Sequence, residues 1–337
     1  MKTTDFAIAL QRFFREHLAH QRGSSINTIR SYRDTFKLFL NYIAEFKSIP
    51  VHKMTLEKFT AEEVGNFRKY LANTRKNSIT TRNQRMAAIH SFVRFLQQEH
   101  PDRIAQWQRI QSMPTQRGQS KPVKYMTQKE LAALMAAIPT DSLKRIRDKA
   151  MLVLLYDSGA RVQEIADLTV GDLRLDTLAQ AKLTGKGEKT RVVPLMPATV
   201  TILNEYLKKS KLNRAETVDS PLFMNRRGEK LTRFGITYLL QIHAERARTK
   251  CKTIPKSLSP HILRHSKAMH LLEQGFSEVV IQHILGHADL KTTGMYAKAN
   301  PEMTRAALEK VNKDKEGSVE EFYWQKDDDL MGMLDSL

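Results

Sequence analysis

The sequence predicts a mainly α-helical protein with an N-terminal helical bundle and a second, mixed but mostly helical domain that contains a small antiparallel β-sheet. Three observations support this fold class. Apolar residues recur at helical spacing through most of the first hundred residues. A stretch with prolines and a glycine then interrupts the pattern. Residues 181–195 show two short strand-like runs around a turn, which indicates a β-hairpin. A length of 337 residues also favours two cores over one.

The N-terminal domain, residues 1–111, is predicted to contain four or five helices. The residues that mark the first two are Phe6, Leu10, Phe13 and Phe14, followed by Ile29, Tyr32, Phe36, Phe39, Leu40 and Ile43. A third helix covers residues 60–74. A fourth follows Thr80 and turns Met86, Ile89, Val93 and Leu96 inward. Aromatic and aliphatic side chains therefore supply a helical core.

Residues 112–126 contain two prolines, a glycine and several basic residues, and we interpret them as an interdomain linker. The second domain, residues 127–311, begins with helical patterns at 128–138 and 142–157. The hairpin follows, and helices resume after it. Residues 312–337 form an acidic tail with three Lys or Arg and eight Asp or Glu.

The net charge of +19 makes a polyanion the expected partner. Nucleic acid is the first candidate, because a protein that displaces counterions from phosphates binds with strongly salt-dependent affinity. An anionic membrane surface is the weaker alternative. The chain has no continuous apolar segment of the roughly 20 residues that cross a bilayer, and its N-terminus lacks the apolar core of a signal peptide. We therefore expect a soluble, cytoplasmic protein that acts on DNA in the nucleoid.

Arginines on the polar sides of the second and fourth helices are candidates for DNA contact: Arg30, Arg33, Arg82 and Arg85. For each one taken alone, a solvated helix face is an equally good explanation. Together, a basic helix pair and the second domain could enclose a duplex from opposite sides, with contacts to phosphate supplying most of the affinity.

Two neighbouring segments of the second domain carry side chains suited to phosphate chemistry. Ser259 and Pro260 are typical of a helix start, and the next residues place His261 and Arg264 on one helical face. A guanidinium offers a planar set of donors for phosphate oxygens, and an imidazole can transfer a proton near neutral pH. After a break at Gly275, a short helix begins at Ser277 and ends at Gly286. His287 follows immediately, and Tyr296 comes nine residues later.

Further candidates lie upstream. Gly159 ends one predicted helix and Arg161 opens the next, which suits a second phosphate-binding arginine. Lys186 lies between two glycines at the tip of the hairpin and could swing into a groove. Lys189 has almost the same opportunity.

Zinc binding is the sharpest alternative for the histidines, because His261 with His265 and His283 with His287 both have i,i+4 spacing. However, neither pair has the acidic residue of a His-Glu-x-x-His motif, and Gly286 is expected to break the helix inside the second pair. The single cysteine, Cys251, excludes an intramolecular disulfide and is expected to be inert. We expect no metal and no cofactor.

Four separated motifs, in order, resemble the tyrosine recombinases, the family of phage integrases, transposon recombinases and chromosome-dimer resolvases. They are SGARVQEIADL, TGKGEKTRVVPL, SPHILRH and LGHADLKTTGMY. The N-terminal helices likewise look like the family's SAM-like core-binding domain. The resemblance implies an arginine pair, a hairpin lysine, two histidines and a tyrosine nucleophile, which here are Arg161, Arg264, Lys186, His261, His287 and Tyr296. It also implies that Glu164 orients the site. One departure is minor: Ser158-Gly159-Ala160 stands where a Thr-Gly-Leu run is common.

The resemblance implies site-specific recombination without metal or ATP. Tyr296 would attack a DNA phosphodiester with a histidine as base, most plausibly His261, and Lys186 would protonate the leaving 5′ oxygen. A 3′-phosphotyrosine and a Holliday junction would follow. The expected partners are double-stranded DNA with inverted-repeat sites, a homo-tetramer on two sites and accessory directionality proteins. Integration, transposition, inversion and dimer resolution all remain open.

Two other functions share part of this pattern. A type IB topoisomerase would use the same chemistry but relax DNA without exchanging partners, and a DNA-binding regulator could keep the fold without catalysis.

The acidic tail, residues 312–337, allows several interpretations. Its apolar residues, Leu330, Met331, Met333, Leu334 and Leu337, could dock on a neighbouring protomer, dock on their own chain, or remain disordered.

Overall fold

A computed structural model describes residues 3–21, 23–118, 123–185 and 187–286, and the structural statements below refer to these residues. The chain divides into two compact units, Met1–Lys121 and Pro122–Leu337. The predicted acidic tail, residues 312–337, lies outside the described residues.

The first unit is helical, as the sequence predicts. Its described helices are α1 (Asp5–Arg12), α2 (Ile26–Lys47), α3 (Ala61–Asn73), α4 (Ile79–Glu99) and α5 (Ile104–Gln111). A π-helix over Phe13–Gln21 continues α1. The first four helices each begin at a residue whose hydroxyl accepts a backbone N–H of the first turn, and these residues are Thr4, Ser25, Thr60 and Ser78. The hydroxyl caps fix where each helix starts, because they satisfy donors that have no partner inside the helix.

Aromatic rings fill the core of the first unit. The ring of Phe92 on α4 lies at its centre, 5.2 Å from the rings of both Phe13 and Phe36 and 5.7 Å from that of Phe6, measured between centroids. Trp107 on α5 is fully buried, and its indole N–H donates to the carbonyl of His100 at 2.9 Å. Edge-to-face packing of this kind adds to the stabilisation that burial of the rings provides.

Both ends of the predicted linker contact the unit to which they are attached. At the N-terminal end, the Asn83 amide and the Gln116 backbone exchange hydrogen bonds of 2.8 and 3.1 Å. At the C-terminal end, Met126 is fully buried, its N–H donates to the Ser266 hydroxyl at 2.8 Å, and its carbonyl lies 2.8 Å from Nε2 of His270. Two residues of the predicted linker, Gln116 and Met126, are therefore packed onto the units to which they belong.

The described part of the second unit has seven α-helices and a three-stranded sheet. The elements are α6 (Gln128–Ala136), α7 (Leu143–Asp157), α8 (Val162–Asp167), β1 (Leu173–Arg174), β2 (Gln180–Thr184), β3 (Thr190–Pro194), α9 (Pro197–Lys209), α10 (Arg233–Arg248), α11 (Pro260–Glu273) and α12 (Glu278–Leu285). The sheet order is β1-β2-β3 and both pairings are antiparallel, with Ala181 opposite Leu173 and Val193. The predicted hairpin corresponds to β2 and β3. Strand β1 was not predicted, because a strand of two residues leaves no periodic pattern in the sequence.

Helix α7 is central to this unit and packs against α9 and α11. A smaller apolar cluster joins α11 to α12 through Met269, Ile281 and Leu285, all of them fully buried. Val123 and Tyr125 pack against the same cluster. Helix α12 is therefore fixed on α11, which carries two of the predicted site residues. Among the described helices, none is both long and apolar enough to cross a membrane.

Candidate active site

The candidate site is built around the C-terminal end of α12. Ser277 caps the start of this helix, and Gly286 ends it in the left-handed conformation with φ 64°. The last carbonyls of a helix have no partner within the helix and carry partial negative charge. Here the three consecutive carbonyls of residues 284, 285 and 286 each accept a hydrogen bond from a different arginine: Arg191, Arg264 and Arg161 respectively.

Arg264 is the buried member of the three, with 4% of its surface exposed. Nη1 donates to the carbonyl of Gly159 at 2.5 Å, and Nη2 donates to that of Leu285 at 2.6 Å. The guanidinium therefore ties α11 both to the end of α12 and to the turn that follows α7. The sequence predicts a phosphate contact for this residue, and the structure adds a structural role for the same planar group.

Arg161 is the more accessible arginine, with 41% of its side chain exposed. It stands at the N-cap of α8, just after Gly159, whose φ of 57° ends the α7 segment. Nη2 donates to the carbonyl of Gly286 at 3.1 Å, and Nη1 donates to Oε1 of Glu164 at 2.9 Å. Part of the guanidinium therefore remains open to solvent and could contact a phosphate.

Glu164 is the anionic centre of the arrangement, with 2% of its side chain exposed. It accepts four hydrogen bonds, two from Arg191 and two from Arg161, and one of the latter comes from the Arg161 backbone N–H. Burial alone would raise the pKa of this carboxyl. The bonds from Arg191 and Arg161 outweigh that effect and hold the Glu164 pKa below its ordinary value. Glu164 is therefore ionised at neutral pH.

The base of the β2–β3 hairpin lies against this carboxylate. A Cβ placed on Gly185 would be 3.0 Å from Oε1 of Glu164 and 3.7 Å from Nη1 of Arg161. A Cβ at this distance would be in tighter than ordinary van der Waals contact, so glycine lets the hairpin approach the charged pair closely. Gly185 also closes the hairpin by donating to the carbonyl of Lys189 at 2.8 Å. Lys189 is exposed.

His261 occupies the first turn of α11 and keeps more than a third of its surface exposed. Partial burial lowers its pKa, and the positive charges of Arg264 and Arg161 lower it further. The pKa of His265, one turn later, is also lowered by burial and by His261 and Arg264. A neutral imidazole beside two guanidiniums can accept a proton near pH 7.

The structure thus brings Arg161, Arg264 and His261 to one place. The other three predicted catalytic residues, Lys186, His287 and Tyr296, lie outside the described residues, although Lys186 follows Gly185 in the chain and His287 follows Gly286. As for the zinc alternative, the rings of His261 and His265 are 6.4 Å apart, and no group of three His, Cys, Asp or Glu among the described residues could hold a metal ion.

Sequence reasoning missed two features. The first is Arg191. It shares a face of β3 with the buried Val193, and an arginine on the inward face of a strand needs a partner. The second is an exposed aromatic pair on α10, where Phe234 and Tyr238 are 71% and 66% exposed one helical turn apart. The guanidinium of Arg233 lies 4.8 Å from the centre of the Phe234 ring.

The predicted DNA-contact arginines of the first unit have different surroundings. Arg30 and Arg85 line one polar cavity of about 340 Å³ between α2 and α4. The pKa of Arg85 is lowered by burial and by the charge of Arg75, and its buried Nε has no hydrogen-bond partner among the described residues. By contrast, Arg82 already donates to Gln116 and to the carbonyl of Asn77, and Arg33 forms an exposed pair with Asp34 at 2.9 Å.

Comparisons with known proteins agree on one family. Residues 124–303 match the phage integrase family, and residues 10–100 match the phage integrase N-terminal SAM-like domain. The protein y4rC of Sinorhizobium fredii is 34% identical over 337 residues, which covers 100% of this chain and 99% of that protein. Tyrosine recombinase XerD of Listeria monocytogenes is 32% identical over 287 residues, 84% of this chain and 91% of that protein.

Solved structures share the fold. The XerH site-specific recombinase bound to palindromic difH substrate matches with a TM-score of 0.67 at 21% identity and covers 85% of this chain and 80% of that one. The Tn1549 transposon integrase in complex with transposon right end DNA matches with a TM-score of 0.69 at 15% identity, covering 89% and 98% respectively. With both domain families matched and full-length relatives above 30% identity, the protein belongs to the phage integrase family, the tyrosine recombinases that carry out site-specific DNA recombination.

Proposed function

We propose that this recombinase cleaves and rejoins DNA through a 3′-phosphotyrosine formed by Tyr296, without metal or ATP, and exchanges strands through a Holliday junction. The observation that carries the proposal is the set of three arginines at the end of α12. The chain passes from this point directly to His287 and, nine residues later, to Tyr296. The candidate nucleophile therefore follows the most cationic part of the described site.

The chemistry follows from the charges. Attack on a phosphodiester concentrates negative charge on the non-bridging oxygens, and fixed guanidiniums stabilise that charge as it forms. Arg161 offers its exposed edge, and Arg264 supplies positive charge from the buried side. A tyrosine hydroxyl has an ordinary pKa of about 10, so it must lose its proton as it attacks. His261, with its lowered pKa, is the proposed proton acceptor.

The leaving 5′ oxygen gains a proton from Lys186, with Lys189 as the alternative donor on the same hairpin. His287 is the second histidine of the site and is proposed to donate to a phosphate oxygen. The phosphotyrosine then keeps the energy of the original ester bond. A 5′ hydroxyl from a partner strand can attack it and restore a phosphodiester, so the exchange needs no external energy source.

DNA binding involves both units. In the first unit, Arg30 and Arg85 are the strongest candidates among the four arginines, because they face a polar cavity that could hold a phosphate group. Arg33 and Arg82 lie on the same two helices and are proposed to contact neighbouring phosphates. In the second unit, the exposed rings of Phe234 and Tyr238 beside Arg233 suit contact with bases and sugar. The solved relatives named above are bound to DNA, and one of them to a palindromic site.

The assembly is proposed to be a tetramer on two inverted-repeat sites, with accessory proteins that set direction. Strand exchange requires four cleavages, two on each duplex, and each protomer supplies one tyrosine. Analytical ultracentrifugation with two site-length duplexes should therefore show four chains per pair of duplexes. A single chain on each duplex during strand exchange would contradict this assembly.

The test of the mechanism uses a nicked suicide duplex, from which the short cleaved strand diffuses away and traps the covalent complex. The duplex sequence is taken from fragments that the protein selects out of a random pool. In EDTA, the wild-type chain and the control Tyr70→Phe, which changes a tyrosine packed in the first unit, should form a DNA adduct, and Tyr296→Phe should form none. An adduct that needs added divalent metal, or one that persists in Tyr296→Phe, would contradict the mechanism. Relaxation of supercoiled plasmid without junctions would favour a topoisomerase.

A further inference from the structure

We infer that Arg191 is a positioning residue for cleavage, which keeps the guanidinium of Arg161 open toward the phosphate by occupying the other half of the Glu164 carboxylate. This inference rests on the proposed function, because it assigns Arg161 to the reacting phosphate. Arg191 itself is not proposed to contact DNA. It lies on β3, within the TGKGEKTRVVPL motif, but it is not among the residues to which the resemblance gives a role.

The Glu164 carboxylate depends on donors from two arginines. Each of its two oxygens accepts one hydrogen bond from Arg191 and one from Arg161, at distances between 2.8 and 3.0 Å. A carboxylate has about four acceptor positions, so the group is satisfied only when both arginines are present. Because the side chain of Glu164 is 2% exposed, water cannot replace a missing donor.

Loss of Arg191 would change the contacts of Arg161. A buried carboxylate that loses half its donors attracts the nearest remaining cation, and that cation is Arg161 with its side chain 41% exposed. The Arg161 guanidinium can turn to make two parallel bonds to Glu164, and then its Nη2 leaves the carbonyl of Gly286. The edge proposed for the phosphate is thereby withdrawn into the protein.

The guanidinium of Arg191 forms its contacts inside the protein. Its side chain is 11% exposed, Nη1 and Nη2 bind Glu164, and Nε donates to the carbonyl of Ile284 at 3.1 Å. A Cβ on residue 286 would lie 2.9 Å from Cδ of Arg191, so glycine at this position lets the side chain pass. Arg191 thus joins the hairpin strand, α8 and the end of α12 through one rigid group.

The effect should fall on chemistry and leave DNA binding unchanged. Arg191→Met keeps the apolar length of the side chain and removes the donors. At saturating DNA, the single-turnover rate of adduct formation should fall on the order of 100-fold, the loss typical of a reacting group misplaced by about an ångström. The Kd for the same duplex should change less than about threefold, because the substitution alters a single phosphate contact among the many that hold the DNA. Arg191→Lys should also be slow, because one ammonium cannot reproduce the bidentate contact.

A double substitution separates this role from simple support of the fold. Glu164→Gln in the Arg191→Met background removes the charge that captures Arg161, so R191M/E164Q should form adduct at least about tenfold faster than R191M. If Arg191 only stabilised the fold, the second substitution would slow the reaction further. The control is Arg174→Met on β1, which removes an exposed arginine paired with Asp176 and should leave the rate unchanged.

The outcomes distinguish this inference from the proposed function. If the wild-type chain forms no adduct at Tyr296, the proposed function fails. If the wild-type chain reacts and R191M reacts within threefold of it, or if the double variant is slower than R191M, the role of Arg191 is overturned. If R191M does not fold, R191M/E164Q, which removes both partners of the ion pair, supplies the same test, and a folded, DNA-binding but inactive double variant overturns the inference.

Discussion

Replacing Gly159 by alanine should destabilise the second unit because the added methyl group has no space. Gly159 has a φ of 57°, and a Cβ added to it would lie 2.5 Å from Cδ2 of Leu285, a fully buried residue at the end of α12. An L-residue in the left-handed region costs about 1–2 kcal/mol, and overpacking of a core costs about 1–3 kcal/mol more. The expected loss of unfolding free energy is therefore roughly 2–5 kcal/mol.

Gly228→Ala is the matched control, because Gly228 has a φ of 78° and nothing lies within 4 Å of its Cβ position. It should cost only the backbone strain of about 1–2 kcal/mol. Hydrogen exchange of the slowest amides in α7 and α11 measures the difference, with peptides of the first unit as an internal reference. Protection should fall roughly 30-fold or more in Gly159→Ala, and about 5- to 30-fold in the control.

Equal protection in the two glycine variants would refute the packing of Leu285 against the turn after α7. Gly159→Ala should also slow adduct formation, because the carbonyl of residue 159 accepts a hydrogen bond from Arg264. If Gly159→Ala forms the adduct at the wild-type rate, the hydrogen bond from Arg264 to the carbonyl of residue 159 does not contribute to catalysis.

Three further predictions concern the stability of the two units. Phe92→Ala should lower the unfolding free energy of the first unit by about 3–5 kcal/mol in urea titrations read from Trp107, whereas Phe46→Ala, 49% exposed, should cost much less. Asp148→Asn should destabilise the second unit by about 3–5 kcal/mol in pulse proteolysis, because buried Arg147 and His243 lose their anionic partner, while the exposed Asp176→Asn should cost at most about 1 kcal/mol. Burial lowers the pKa of the three histidines of α11, which are His261, His265 and His270. Below about pH 6.5 the unfolded chain therefore binds more protons than the folded unit. The unfolding free energy of the second unit should fall as the pH drops through about 6.5.

Each of these stability predictions has a clear contrary result. Equal losses for Phe92→Ala and Phe46→Ala would contradict the central position of the Phe92 ring. An unchanged unfolding free energy in Asp148→Asn would mean that the contacts of Asp148 with Arg147 and His243 add nothing to stability. Greater resistance to proteolysis at pH 5.5 than at pH 7.5 would contradict the lowered histidine pKa values.

Much of the helical architecture can be predicted from the sequence, because the information is local. The start of α12 at Ser277 and its left-handed end at Gly286 follow from residue types whose backbone preferences are strong. Apolar spacing likewise locates α3 and α7 to within a few residues. The π-helix over Phe13–Gln21 could not be predicted this way. The rings of the consecutive residues Phe13 and Phe14 both contact Phe36 on α2, and such tertiary contacts are not visible in local spacing.

The candidate site is only partly visible in the sequence. Helical spacing predicts that His261 and Arg264 share one face, and the family resemblance implies that Arg161 acts with them. The structure places these three side chains near one another. Spacing does not reveal that Arg264 donates hydrogen bonds to the carbonyls of Gly159 and Leu285, because those partners are distant in sequence. Arg191 was missed for the same reason. Its partners come from α8 and α12, and only its inward position on β3 hints that it needs them.

The central claim is that Tyr296, which follows the end of α12 in the chain, attacks a DNA phosphate bound by Arg161. The most direct measurement is mass spectrometry of the DNA-linked peptide after metal-free cleavage of the suicide duplex by the wild-type chain. The claim predicts a nucleotide attached through a 3′ phosphate to Tyr296, and loss of that product in Arg161→Ala with DNA binding retained. Linkage to any other residue, or a 5′-phosphate linkage, would contradict it.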